Sequence, residues 1–124
     1  APSSACNVTL DGTYSYKTLG FKNHEFINHM CKEQLADSYD VFVKVDDDVL
    51  YDPEHITDVI AHMDIAEHSL LGFLRLDKTV VWPSGPIYAY TSSTLRSLCS
   101  NKEAIGRTGG MHEDLRFGHA LSLI

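Results

Sequence analysis

The chain has 124 residues, with 17 Asp and Glu against 10 Lys and Arg, for a formal net charge of −7. That length supplies one modest domain with a core. The acidic balance argues against a nucleic-acid backbone as partner, gives no basic patch for a membrane surface, and fits a protein that recruits cations.

No run approaches the length of a transmembrane helix, so no membrane contact is expected of this chain. Ala1-Pro2-Ser3-Ser4 lacks the basic and apolar segments of a signal peptide. The missing initiator Met points to a chain processed or cut from something longer. Three cysteines, Cys6, Cys31 and Cys99, form no metal-type C-x-x-C pair. They leave two readings open: one disulfide with a free thiol in an oxidising lumen, or three thiols in a reducing compartment. Asn7-Val8-Thr9 is a glycosylation sequon and favours the secretory route.

In chain order, Val8-Thr9-Leu10 reads as a short strand and Asp11-Gly12 as a turn. A helix is expected from about Asn23 to Ala36, with Asn23 as N-cap and Glu25 in its first turn. Phe26, Ile27, Met30 and Cys31 form its apolar face. Val41 to Val45 is a β-branched run that reads as a buried, central, parallel strand. Asp52 caps the next helix, with Pro53 at its first position. Ile56, Val59, Ile60 and Met63 recur there at i, i+3, i+4 and i+7, one apolar face. Ser69 to Leu76 and Thr79 to Trp82 read as strands joined by an Asp77-Lys78 turn. Pro83-Ser84-Gly85-Pro86 reads as a break before a fourth strand, Ile87 to Tyr90. Ser92 or Ser93 caps a helix that buries Leu95, Leu98 and Cys99. A glycine-containing loop, Asn101 to Gly110, leads to a last helix spaced by Phe117, Leu121 and Ile124.

The chemistry concentrates at Asp46-Asp47-Asp48, directly after the Val41–Val45 strand. In open α/β sheets, ligands bind beyond the carboxyl ends of strands. Three adjacent carboxylates repel one another, and a hard divalent cation with oxygen ligands relieves the conflict. Such a cation also binds diphosphates. The plain alternative is a solvated acidic turn. An EF-hand is excluded: counted from Asp46, its required Gly and Glu fall on Tyr51 and Thr57. Glu113 and Asp114 open the last helix. They serve either the helix dipole or, for one of them, as a general base toward a ligand.

The order of motifs resembles a known family. It runs D-G-T-Y-x-x-K-T (Asp11 to Thr18), a helix bearing Cys31, V-K-V-D-D-D-V (Val43 to Val49), W-P-S-G-P-x-Y-x-Y (Trp82 to Tyr90) and H-E-D-x-x-x-G (His112 to Gly118). This is similar to the β-1,3-glycosyltransferases, which include β-1,3-galactosyltransferases and the Fringe enzymes. The resemblance implies a GT-A-like (Rossmann-like) α/β fold, with a mixed sheet flanked by helices and the Val41–Val45 strand central. It implies inverting transfer from a UDP-sugar to an acceptor glycan, with Mn²⁺ or Mg²⁺ as cofactor, in the Golgi or secretory-pathway lumen. Asp46 and Asp48 would hold the metal, with Asp46, Asp47 and Lys17 toward the nucleotide sugar. Trp82, Gly85, Tyr88 and Glu113 would line the donor and acceptor pocket, and Asp114 would be the catalytic base. Residues 1–124 would form part of a catalytic domain, without most of its N-terminal nucleotide-binding β-α-β unit. A membrane anchor would lie upstream. The family's metal-binding His has no secure match, His112 and His119 being the nearest. Two rivals remain: a non-catalytic carbohydrate-binding or scaffold remnant of the fold, and a divalent-cation-binding domain.

Overall fold

The structure, a computed structural model, describes residues 8–15, 17, 19–77, 80–101, 117 and 121. Among them, three α-helices and a three-stranded antiparallel sheet make a small α/β arrangement. The order is α1 (Leu19–Lys32), a 3-10 turn (Leu35–Asp37), β1 (Val41–Val45), α2 (Pro53–Ile60), β2 (Leu70–Asp77), β3 (Val80–Thr91) and α3 (Ser92–Ser100). Residues 8–10, read from sequence as a strand, pair with nothing regular.

The helix expected at Asn23 begins at Leu19, so Asn23 lies inside α1 and does not cap it, and no acidic residue falls in the first turn. Ile27 and Met30 are buried as expected, but Phe26 is 40 % exposed. The chain leaves α1 through Gln34, whose φ of 54° is left-handed. A non-glycine residue there is uncommon, and it re-aims the backbone into the 3-10 turn.

β1 has the expected bounds but not the expected place. The sheet order is β1-β3-β2, so β1 is an edge strand, antiparallel to β3, and the central strand is β3. Val43 is 39 % exposed, which an edge position allows and a doubly buried strand would not. The expected mixed sheet with β1 at its centre is therefore corrected for the described strands.

β3 is also longer than expected. The Pro83–Pro86 stretch does not break it; one strand runs from Val80 to Thr91. The irregularity appears as a register shift: Gly72 pairs with Tyr88, while Phe73 pairs with Ser84. The extra residues on β3 are taken up in a bulge. β1 pairs only with residues 87–91, so the Pro83 stretch has β2 alone as neighbour. A missing N–H is tolerated on such a half-edge. Gly72 sits opposite Tyr88, where a Cβ would approach the Tyr88 Cβ to 3.1 Å, a tight contact that glycine avoids.

Period-2 alternation gives the sheet two unlike faces. Phe42, Leu70, Tyr88 and Tyr90 point toward α1 and α3, and join Ile27, Met30, Leu95, Leu98 and Phe117 in the core. Phe117 stacks on Tyr88 and lies tilted against Tyr90, ring centroids 5.2 and 5.1 Å away. Cys31 and Cys99 form a disulfide between α1 and α3, with Cα atoms 5.5 Å apart. This resolves the cysteine alternatives for that pair; Cys6 lies outside the described residues.

Thr91, not Ser92 or Ser93, caps α3 through Thr94 N–H. Its fully buried hydroxyl also donates to the Glu67 carbonyl at 2.7 Å and accepts from Ser69 N–H at 3.3 Å. One side chain thereby ties the end of β3 to the entry of β2. Arg96 donates to the Ala36 carbonyl at 2.8 Å and holds α3 against the 3-10 turn. α2 is capped as the sequence indicates, Asp52 accepting from Glu54 N–H at 3.0 Å, yet it has no buried residue.

Candidate functional site

β1 ends at Val45, and the backbone turns at once, with Val49 N–H donating to the Asp46 carbonyl at 3.3 Å. The turn presents Asp46, Asp47 and Asp48 at the mouth of a cleft of about 610 Å³. Lys44 and Val45 complete that wall. The opposite wall is α1, through Leu19, Lys22, Asn23 and Phe26. Those four positions are spaced i, i+3, i+4 and i+7, so they form one helical stripe beside the Ile27–Met30 core stripe. Sequence reasoning missed this wall because Asn23 looked like a cap and Phe26 like core. The spacing from Leu19 was the signal that would have found it.

The cleft is a zwitterion. Two lysines, Lys22 and Lys44, line it with the three carboxylates. The Lys44 ammonium forms an ion pair with Asp46 and lies 5.6 Å from the centroid of the Tyr88 ring. Lys44 and Asp46 are two residues apart at the end of a strand, so they share a sheet face. Asp47 and Asp48 are exposed. Asn23 contributes a buried amide nitrogen without a hydrogen-bond partner among the described residues. A buried donor left unpaired costs roughly 1–3 kcal/mol.

The structure brings Asp46, Asp47 and Asp48 together with a cleft but does not gather all the expected site residues there. Tyr88 is 2 % exposed and belongs to the core, behind Lys44. Lys17 is exposed and is not among the described residues lining the cleft. Trp82 pairs with Arg75, and Gly85 falls in the β3 bulge; both are placed by backbone alone. Glu113, Asp114 and His112 lie outside the described residues.

Among the described residues, no group of three or more His, Cys, Asp and Glu side chains is arranged to hold a metal. The donor set nonetheless suits a hard cation that completes its shell elsewhere. Mg²⁺-type ions are commonly held by one or two carboxylates plus water and substrate phosphates rather than by an all-protein cage. Asp48 and Asp46 offer that partial set, with Asp46 already paired to Lys44.

A second, shallower hollow is lined by Arg96, Ser97, Ser100 and Asn101. Ser97 Oγ lies 2.5 Å from His68 Nε2 there. Among the described residues no carboxylate bonds the other ring nitrogen to orient it as a nucleophile's base.

The described residues define a small α/β protein with an acidic cleft at the carboxyl end of its first strand. The chain matches no family model, no curated protein and no solved structure. No described helix is long and apolar enough to cross a membrane.

Proposed function

We propose that the chain is part of a metal-dependent, inverting glycosyltransferase with a GT-A-like fold. It moves a sugar, galactose or N-acetylhexosamine, from a UDP-sugar to a hydroxyl of an acceptor glycan. The observation that carries this reading is the cleft. Asp46, Asp47 and Asp48 line a cavity of about 610 Å³ together with Lys22, Lys44 and the amide-bearing Asn23. Carboxylates for a cation and ammoniums for a diphosphate are what a metal–nucleotide ligand demands. The order of sequence motifs supports the same assignment.

In this reading Asp48 and Asp46 hold Mn²⁺ or Mg²⁺. A cation bound there acts as a Lewis acid on the departing diphosphate. Asp114 takes the proton of the acceptor hydroxyl as that oxygen attacks, since a sugar hydroxyl is a poor nucleophile while protonated. Trp82, Gly85 and Glu113 are assigned to the sugar pocket, and Lys17 and Asp47 to the nucleotide, by resemblance; Tyr88, buried in the core, supports the cleft from behind Lys44 instead. The Cys31–Cys99 disulfide supports a place in the Golgi or secretory lumen, since disulfides persist in oxidising compartments. An anchor in a longer parent chain belongs to the same proposal.

Titration calorimetry with Mn²⁺ and UDP tests it. The wild-type chain gives binding heat, and the Asp46→Ala, Asp47→Ala, Asp48→Ala triple variant gives none. Equal traces for the two proteins overturn the reading. Sugar binding that survives EDTA would identify a carbohydrate-binding remnant instead, and metal binding indifferent to UDP a cation-binding domain. In a turnover assay, Asp114→Asn abolishes transfer and leaves Mn²⁺ affinity as it was.

A further inference from the structure

Lys44 has a role beyond the positive charge that the transferase reading gives it toward a diphosphate. It is the fourth residue of β1 and pairs in register with Tyr88 on the core-facing side of the sheet. Its side chain is 29 % exposed, so the stem is largely covered while the ammonium reaches the cleft. Among the described residues, the Asp46 carboxylate and the face of the Tyr88 ring, 5.6 Å to its centroid, both attract that ammonium. Tyr88 is itself fixed, stacked on the fully buried Phe117 at 5.2 Å. The charge of Lys44 is therefore placed by the core at the first of the three carboxylates.

A cation that binds Asp46 must compete with this ammonium. Like charges near one carboxylate repel, and the ion pair already made is lost. An arriving diphosphate has the opposite demand, because a second positive charge beside the metal stabilises it. The same side chain thus weakens binding of bare metal and strengthens binding of metal with nucleotide.

Resting on the glycosyltransferase reading of the cleft, we infer that Lys44 is a positioning residue that holds Asp46 as an internal counter-ion until a metal–nucleotide pair arrives. It makes the site selective for the pair over the free cation. With a diphosphate and its cation bound together, Asp46 would serve the cation and the Lys44 ammonium would add positive charge beside the diphosphate. Lys44 touches no reacting atom of the sugar in this account; it acts through Asp46 and through the charge of the cleft.

The test is a pair of titrations on the whole chain, Mn²⁺ alone and UDP at saturating Mn²⁺, for wild type, Lys44→Met and Lys44→Arg. Met keeps most of the stem over Tyr88 and removes the charge; Arg keeps the charge. Lys44→Met should bind Mn²⁺ roughly fivefold tighter, as expected from losing one part-exposed ion pair. It should bind UDP with Mn²⁺ more weakly by a similar factor. Lys44→Arg should stay near wild type in both titrations. Opposite signs in the two titrations are the signature, since loss of fold or of a merely structural contact weakens both. Both affinities weakened, both unchanged, or Lys44→Arg behaving like Lys44→Met would overturn the inference. Wild type that binds Mn²⁺ but no UDP would sink the transferase reading. A Lys44→Met gain in Mn²⁺ affinity would even then establish Lys44 as the counter-ion of Asp46. Wild type that binds UDP with Mn²⁺, but with Lys44→Met identical to it, would keep the transferase reading and remove Lys44 from it.

Discussion

Helices α3 and α2 began with the same signal and ended differently. Apolar residues recur at helical spacing in α2, through Ile56, Val59 and Ile60, as they do in α3 through Leu95 and Leu98. Leu95 and Leu98 are fully buried, whereas no residue of α2 is. The difference lies in what each helix meets. α3 follows β3 directly, is bolted to the sheet edge through Thr91, and is joined covalently to α1. α2 has a good cap but, among the described residues, no such tie, and the sheet face bearing Val43 and Leu71 is partly open, those residues being 39 % and 37 % exposed. Periodicity states that a helix has an apolar face. It does not state that the chain supplies a partner for it.

The comparison can be broken first at its covalent point. The Cys31–Cys99 bridge closes a sequence separation of 68 residues. On the chain-entropy account, such a loop constrains the unfolded state by about 4 kcal/mol. The Cys31→Ala, Cys99→Ala double variant should lose most of that in urea unfolding, a large part of the ~5–15 kcal/mol that a domain usually has. Exchange of backbone amides should rise in α1 before it rises in β3, because α1 is the element the bridge retains. A loss under about 1 kcal/mol would show that the α1/α3 side is held by packing alone.

Next in size is the packing itself. Leu95→Ala removes a side chain with no exposed surface. Its cavity lies among Ile27, Leu98 and Phe117, in the same core cluster, and should cost roughly 2–5 kcal/mol by urea denaturation. A cost near the lower bound would mean that the aromatic rings close over the gap. A negligible cost would deny that this side of the sheet is the core.

How much of this was legible follows from what each signal encodes. The β1 bounds, the Asp52 cap and the burial of Leu95 and Leu98 were readable because capping chemistry and short-range spacing are local properties. The edge position of β1 was not, since a strand's own residues do not name its neighbours. Nor was the continuity of β3, because Pro83 and Gly85 read alike as a break or a bulge until β1 is known to stop short of them. At the site, three consecutive carboxylates announced themselves. Lys44 did not, although K-x-D at a strand end puts ammonium and carboxylate on one face. Asn23 and Phe26 were read by their nearest neighbours rather than by their distance from Leu19, which hid the second wall of the cleft.

The smallest expected effect sharpens the comparison most. Ile56 is the first apolar position of α2 and is only partly buried. Ile56→Ala removes the same kind of side chain as Leu95→Ala and raises helix propensity at its site. If α2 lies on the open side of the molecule, the apolar area lost is small, and the two terms nearly cancel. The change in unfolding free energy should then stay within about 0.5 kcal/mol, as for surface substitutions generally. A loss above about 2 kcal/mol would require Ile56 to be covered in solution, as a core residue is. Its dependence on protein concentration would then say by what. A cost that grows with concentration identifies a second copy of the chain on the α2 side, and a constant cost identifies cover within the chain. Either result would move α2 from the exposed class to the buried one, and with it the contrast between α2 and α3.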